Sequence, residues 1–318
     1  MDVVGLGFTS LDYLGLVPHL PALDQGVNLL DFSRQGGGPV AQALVTLARL
    51  GASTGFVGRI GDDEAGRTMR CGLVAEGVDV SQLQIEAGAA SGECIILVDS
   101  ATGKRSICAN RGSVHDVATN ELDLDYLCSG RILHLDGHSP AAALLAAGAA
   151  RAAGVTVCLD AGGPELDVGD LVKLTDVLIA GERFAAAVGD GDDRQGATRL
   201  LAMGPRIVVV TRGERGSFTK TADEEFQTPV FRVPVVDTTG AGDVFHGAYL
   251  FGLLRGWDLP SIAEFAGATA ALKCLKLGGR AGIPTLDTVM TYLRQQGRPP
   301  PAMIGEDTEG QAVDVTAR

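Results

Sequence analysis

Asp237-Thr238-Thr239-Gly240-Ala241-Gly242-Asp243 is the stretch on which the reading of this chain turns. It follows the apolar run Val233–Val236, broken only by Pro234. It leads into Val244, Phe245, Ala248, Tyr249, Phe251, Leu253 and Leu254, apolar residues at helical spacing. The pattern predicts small residues where a strand turns into a helix. Gly240 and Gly242 leave the first N–H groups of that helix uncovered, so an anion can approach them closely. Asp243 falls in the first turn, where the positive end of the helix dipole favours a carboxylate. An Asp near a helix start is most often a cap. Here, however, two acids and two threonines share seven positions with an anion nest. Such a nest with a carboxylate base beside it suits phosphoryl transfer to a hydroxyl.

Composition narrows the function classes. The 318 residues are 46% hydrophobic and 20% charged, which supports a sizeable core. Aromatic residues make up 5% against 44 glycines, so that core is built from Ala, Leu and Val with many tight turns. A formal net charge of −13 argues against nucleic acid as a partner, because a phosphate backbone needs a basic face. A bound nucleotide would need local help from Mg²⁺, an Arg or Lys, and helix N-termini. Cys71, Cys94, Cys108, Cys128, Cys158 and Cys274 include no C-x-x-C pair and read as free thiols in a reducing compartment. No apolar run reaches the length of a membrane span, and the strand-like start Val3–Gly7 has no basic leader. A soluble, cytoplasmic protein with no membrane partner is expected.

Short apolar runs alternate with Ala/Leu-rich helical segments, which predicts an α/β fold with a mostly parallel sheet covered on both faces. The runs Val3–Phe8, Gly55–Arg59, Arg131–Leu135, Val155–Asp160, Val177–Ala180 and Ile207–Thr211 read as core strands. Val40–Leu50, Glu64–Glu76, Ala141–Ala153, Asp192–Met203, Ala241–Arg255, Ser261–Leu275 and Leu286–Gln296 read as helices. Two pieces break the alternation: two strand-like patches in 13–36, and a hairpin of Glu93–Asp99 with Arg105–Asn110. The expected organisation is a core of residues 1–12, 37–91 and 112–296, a small β-sheet lid of 13–36 and 92–111, and a polar tail, 297–318.

At Asp237–Asp243 the chain resembles the ribokinase-like (PfkB) family of sugar kinases, whose signature reads D-T-x-G-A-G-D. The match runs on through Val244–Ala248, Ala270–Cys274 and Gly278–Pro284. A second signature lies at Gly36-Gly37-Gly38-Pro39, Leu50–Ala52 and Val57–Asp63, and together they span residues 2 to 296. The C-terminal half is most similar to the ketohexokinase and sulfofructose kinase branch. The resemblance implies a three-layer ribokinase-like core, a lid that covers the sugar and makes a homodimer contact, and an ATP-dependent carbohydrate kinase. A small sugar and ATP are the implied partners, with Mg²⁺ and a monovalent cation such as K⁺ as cofactors.

Asp243 is the candidate base, and Gly240, Ala241 and Gly242 with the Asp243 N–H form the candidate anion hole. For the sugar, the resemblance points to Asp12, and Gly37 and Gly38 let backbone approach it. Gln42 stands where the family often has Asn, and Pro39 where ribokinases have Lys, which argues against ribokinase specificity. Asp136 resembles the acid of the H-[IL]-[DE]-G stretch of ketohexokinases and follows a strand C-terminus, where ligands of open α/β sheets bind. Arg105 and Asn110 lie on the hairpin, where an Arg either reaches a phosphate or stands solvated.

On the nucleotide side, Thr211, Gly213 and Gly216 match the family's T-x-G-x-x-G stretch, and Lys273 and Gly279 border the expected adenine and phosphate region. Asp237 and Thr239, with carbonyls near Gly278 to Gly282, match where relatives hold the monovalent cation. The family's N-x-x-E motif is replaced by Gly181-Glu182-Arg183-Phe184, leaving either Glu182 as the substitute acid for Mg²⁺ or Mg²⁺ coordinated through ATP alone. Val27 and Gly137 stand where sulfofructose kinases carry Lys and Arg, which disfavours a sulfonated sugar. For a nucleoside, Phe8, Tyr13 and Phe32 are the aromatic candidates for stacking. The eroded motif also leaves open a silent sugar sensor of the same fold. A dinucleotide oxidoreductase fails, because Gly5-Leu6-Gly7 lacks the third glycine of its turn.

Overall fold

Runs such as Ile207-Val208-Val209-Val210 are apolar at every position, so a strand made from them must hide both faces. A computed structural model of the chain describes residues 1–162, 168–299 and 301. Pro300 and residues 302–318 of the expected tail lie outside the described residues. The strands are β1 Val3–Leu6, β2 Ser10–Val17, β3 Asp31–Gly37, β4 Thr54–Gly61, β5 Leu83–Glu86, β6 Glu93–Asp99 and β7 Arg105–Asn110. They continue with β8 Ile132–Leu135, β9 Thr156–Ala161, β10 Val177–Gly181, β11 Ile207–Thr211, β12 Ser217–Lys220 and β13 Glu225–Thr228.

Nine of them form one sheet in the order β13-β12-β11-β10-β9-β8-β1-β4-β5, parallel except at the β11–β12–β13 edge. Alternate residues of the central strands sort into two separate layers. Val3, Ile132, Cys158, Ile179 and Val209 pack with helices Pro39–Leu50, Ala241–Leu254 and Leu259–Lys273. Val4, Leu133, Val157, Leu178 and Val208 pack with Pro140–Ala152 and Asp193–Met203. Each such aliphatic side chain taken fully out of water contributes about 1.5–3 kcal/mol before entropy is charged. Two rows of them explain a sheet buried on both sides.

A second sheet, β3-β2-β6-β7, stands apart. One face buries Leu14, Cys94, Ile96 and Val98 against Leu277. The register puts Tyr13, Phe32, Glu93, Ile95 and Asn110 on its other face, where Phe32 and Ile95 are 55% and 59% exposed. Two contacts fix this sheet over the large one. Gly103, in the β6–β7 turn, accepts the Thr238 N–H at 3.2 Å and its hydroxyl at 3.0 Å. Gln35 on β3 donates to the Leu277 carbonyl and accepts the N–H groups of Arg280 and Ala281.

The expected strand before the signature stretch is absent: residues 229–235 carry no regular structure. Pro229 and Pro234 each lack the N–H that a ladder needs. Conversely, the β12–β13 hairpin forms from a polar segment whose alternation is too short to stand out. Among the described residues, no helix is long and apolar enough to cross a membrane.

Candidate active site

Helix Ala241–Leu254 starts at the C-terminal edge of the large sheet with Gly240 as its cap residue, at φ 73°. A side chain there would be strained, and a Cβ would lie 2.7 Å from the Gln42 amide nitrogen and 3.1 Å from the Gly279 Cα. Ala241 donates to the Thr238 carbonyl. The N–H groups of Gly242 and Asp243 have no partner among the described residues, and a Cβ on Gly242 would meet open space. The sequence therefore produces two free donors at the positive end of a 14-residue helix, which is a site for an anion.

Asp243 adjoins those donors. Burial and then the Asp160 carboxylate push its pKa up to about 7, against the opposing charges of His246 and Arg105. Asp160 is itself buried at the end of β9, and desolvation raises it too. His246, one helical turn after Gly242, places Nδ1 2.8 Å from the Gly242 carbonyl and Nε2 3.5 Å from Asp160 Oδ1. Asp160 and His246 were not singled out from the sequence as site residues. The available signal was a carboxylate closing the otherwise apolar run Val155–Leu159, which a buried strand tolerates only for a reason.

Gln42 spans the gap to the other side. Its amide Nε2 lies 3.5 Å from Asp243 Oδ2, and Gly240 and Gly279 press against the same amide. Its Oε1 is buried without a partner among the described residues. Asp12, on β2, is buried and receives the Ser10 hydroxyl at 2.7 Å, while desolvation raises its pKa. A Cβ on Gly37 would collide with the Asp12 carboxylate, so glycine is what lets β3 run beside it. Gly38, at φ 96°, turns the chain into helix Pro39–Leu50, with Phe8 O where a Cβ would be. Arg105 donates to the Thr238 hydroxyl at 3.1 Å, which brings it to the entrance of the signature stretch.

Thr211 closes β11 and donates to the Ala180 carbonyl at 3.3 Å. Gly213 is exposed with open space around it, and Gly216 turns at φ 80°.

Several expectations are corrected. Lys273, expected at the nucleotide, is fully buried and donates to the Asp237 carbonyl at 2.9 Å, because its helix turns that face inward. Gly279, also expected there, is buried beneath Gln42. Asn110, expected at the sugar, shares the outward face of the small sheet with Glu93, one position out of phase with Arg105. Its Oδ1 accepts the Gly112 N–H instead. Asp136 is 2% exposed and already accepts the N–H groups of Phe8 and His138, with His138 Nδ1 3.0 Å away. Glu182 pairs with Arg215 at 2.5 Å, and no group of three acids, histidines or cysteines among the described residues could hold a metal ion. Of the aromatic candidates, Tyr13 and Phe32 face outward, while Phe8 stacks on His138 at 5.0 Å.

Asp237 and Thr239 were expected to hold a monovalent cation. Asp237 Oδ1 accepts the Thr239 N–H and hydroxyl at 2.8 and 2.7 Å, and Oδ2 accepts the Gly278 N–H at 2.7 Å. These bonds shape the turn before Gly240.

Residues 2–286 match the family model of the pfkB family carbohydrate kinases. An ATP-dependent ribose-1-phosphate kinase of Halopiger xanaduensis is 31% identical over 298 residues, covering 92% of this chain and 98% of the relative. A 5-dehydro-2-deoxygluconokinase of Clostridium perfringens is 28% identical over 320 residues, covering 93% of each. Among solved structures, a putative ribokinase from Agrobacterium tumefaciens superposes with a TM-score of 0.86 at 25% identity, covering 93% of this chain and 98% of that one.

Proposed function

Because the chain belongs to the pfkB family of carbohydrate kinases, we propose that it transfers the γ-phosphoryl group of ATP to a hydroxyl, probed first as a primary one, of a small sugar or sugar derivative. One coincidence carries this reading: at a single helix mouth, two N–H groups without partners among the described residues stand beside a carboxyl whose pKa is raised to about 7. The sugar oxygen attacks phosphorus, its proton passes to Asp243, and the bond from phosphorus to the ADP oxygen breaks. The Gly242 and Asp243 N–H groups receive the charge that spreads over the phosphoryl oxygens. Asp12 and the free Oε1 of Gln42 are placed to accept sugar hydroxyls. Mg²⁺ would arrive with ATP and neutralise phosphate charge, held by phosphate and water oxygens, since Glu182 is engaged with Arg215.

Two further points belong to the same reading. The outward face of the small sheet, with Leu29, Phe32 and Ile95 each at least half exposed, supports a lid-to-lid homodimer. The six cysteines, all free, suit a reducing cytoplasm.

The test is ADP release with Mg²⁺-ATP against ribose, ribose 1-phosphate, 5-dehydro-2-deoxygluconate, fructose and a nucleoside. Sugar-dependent ADP supports the kinase. Tight sugar binding with no ADP from any of them would support the silent sensor that the missing N-x-x-E motif suggests. The pH profile supplies a second test. Asp243 must be ionised to accept a proton, so kcat/KM should rise with pH and level off above about 7, falling about tenfold per unit below it. Asp160→Asn removes the like charge that helps hold Asp243 up, so the midpoint should move to lower pH. A midpoint that stays in place would remove Asp160 from this role.

A further inference from the structure

Lys273 ends the helix Leu259–Lys273 with its side chain 0% exposed. A lysine is almost never buried so completely unless its charge has a task. Its Nζ donates to the Asp237 carbonyl at 2.9 Å. The next carbonyl, that of Cys274, accepts the N–H groups of Val236 and Asp237 at 2.8 and 3.2 Å, so the end of this helix braces the start of the signature stretch. The Asp237 carboxylate is committed as well, to Thr239 and Gly278. A monovalent cation at Asp237 and Thr239 would compete with those bonds for the carboxylate. It would find the Arg280 carbonyl already taken by Arg49 at 2.8 Å and the Ile283 N–H at 3.1 Å, and would face the Lys273 ammonium across the Asp237 carbonyl. The residues present do not fit it.

We propose that the Lys273 ammonium is a built-in replacement for that cation, holding the Asp237–Gly240 turn from inside so that nucleotide binding at the helix mouth is independent of K⁺. An ammonium has the charge of K⁺ and nearly its size, but here it is tethered and always present. The proposal rests on the kinase reading above.

The test reads nucleotide binding rather than turnover, so the identity of the sugar does not matter. Calorimetric affinity for the Mg²⁺ complex of a non-hydrolysable ATP analogue is measured in about 0.1 M KCl and in about 0.1 M choline chloride, salts of equal screening. The native protein should bind equally, within about twofold, in both. Lys273→Met should bind at least about tenfold more weakly in choline chloride, the scale of one charged hydrogen bond, and recover in KCl or NH₄Cl. A lysine that served only to pack the helix would give no such recovery. Native affinity that rises several-fold with K⁺ would overturn the proposal without any variant, which covers the case in which Lys273→Met fails to fold. So would a cooperatively melting Lys273→Met that binds like native in choline chloride. No binding of the analogue in either salt would overturn the kinase reading of the helix mouth, and this proposal with it.

Discussion

Asp243→Asn is expected to lower kcat at least about a hundredfold, the lower range for loss of a general base, while the protein stays folded. The amide keeps the size and hydrogen-bonding ability of the carboxyl but cannot accept the proton that leaves the sugar. Stability should move the other way. In the folded chain burial and the Asp160 charge disfavour the ionised form, raising its pKa from 3.8 to about 7. An acid raised on folding makes the native state lose stability as pH climbs from its unfolded value through its folded one. Asparagine carries no such charge, so the variant should melt at the same temperature as native at acid pH and higher at pH 8. A silent but more stable variant is what a residue retained for chemistry yields. Near-normal turnover would remove Asp243 from the role.

Asp12→Asn should act on the other substrate. Its carboxylate is buried beside Gly37 on a strand of the small sheet, with Ser10 occupying one oxygen. A charged hydrogen bond to a sugar hydroxyl is worth about 1.5–3 kcal/mol, so kcat/KM for the sugar should fall about ten- to a hundredfold. The KM for ATP should stay unchanged, because the helix mouth is built from other elements. A proportional rise in both KM values would mean that Asp12 orders the small sheet instead of touching sugar.

Much of this arrangement was legible from residue order alone. Strands such as β10 and β11 announce themselves because a parallel sheet buried on both faces needs continuous aliphatic runs. The signature stretch was readable because Gly240 and Gly242 have few uses other than uncovering a helix mouth. What failed depended on facing. Arg105 and Asn110 lie on one strand, five residues apart, and the two-residue repeat puts them on opposite faces. Lys273 reads in sequence as a cation bordering the nucleotide, and only the packing of its helix against the Asp237 turn reveals it as internal. Asp136 looked free because the backbone donors that occupy it, Phe8 and His138, include one from a segment 128 residues away. Conversely, the run Val233–Val236 has strand composition, but Pro229 precedes it and Pro234 interrupts it, and it pairs with no strand among the described residues.

The most direct measurement is a crystal structure with Mg²⁺ and a non-hydrolysable ATP analogue. The terminal phosphate should lie about 3 Å from the Gly242 and Asp243 nitrogens, with the Asp243 carboxylate facing the open side where a sugar hydroxyl would enter. A terminal phosphate bound elsewhere, with those two N–H groups left to solvent or covered by protein, would contradict the account.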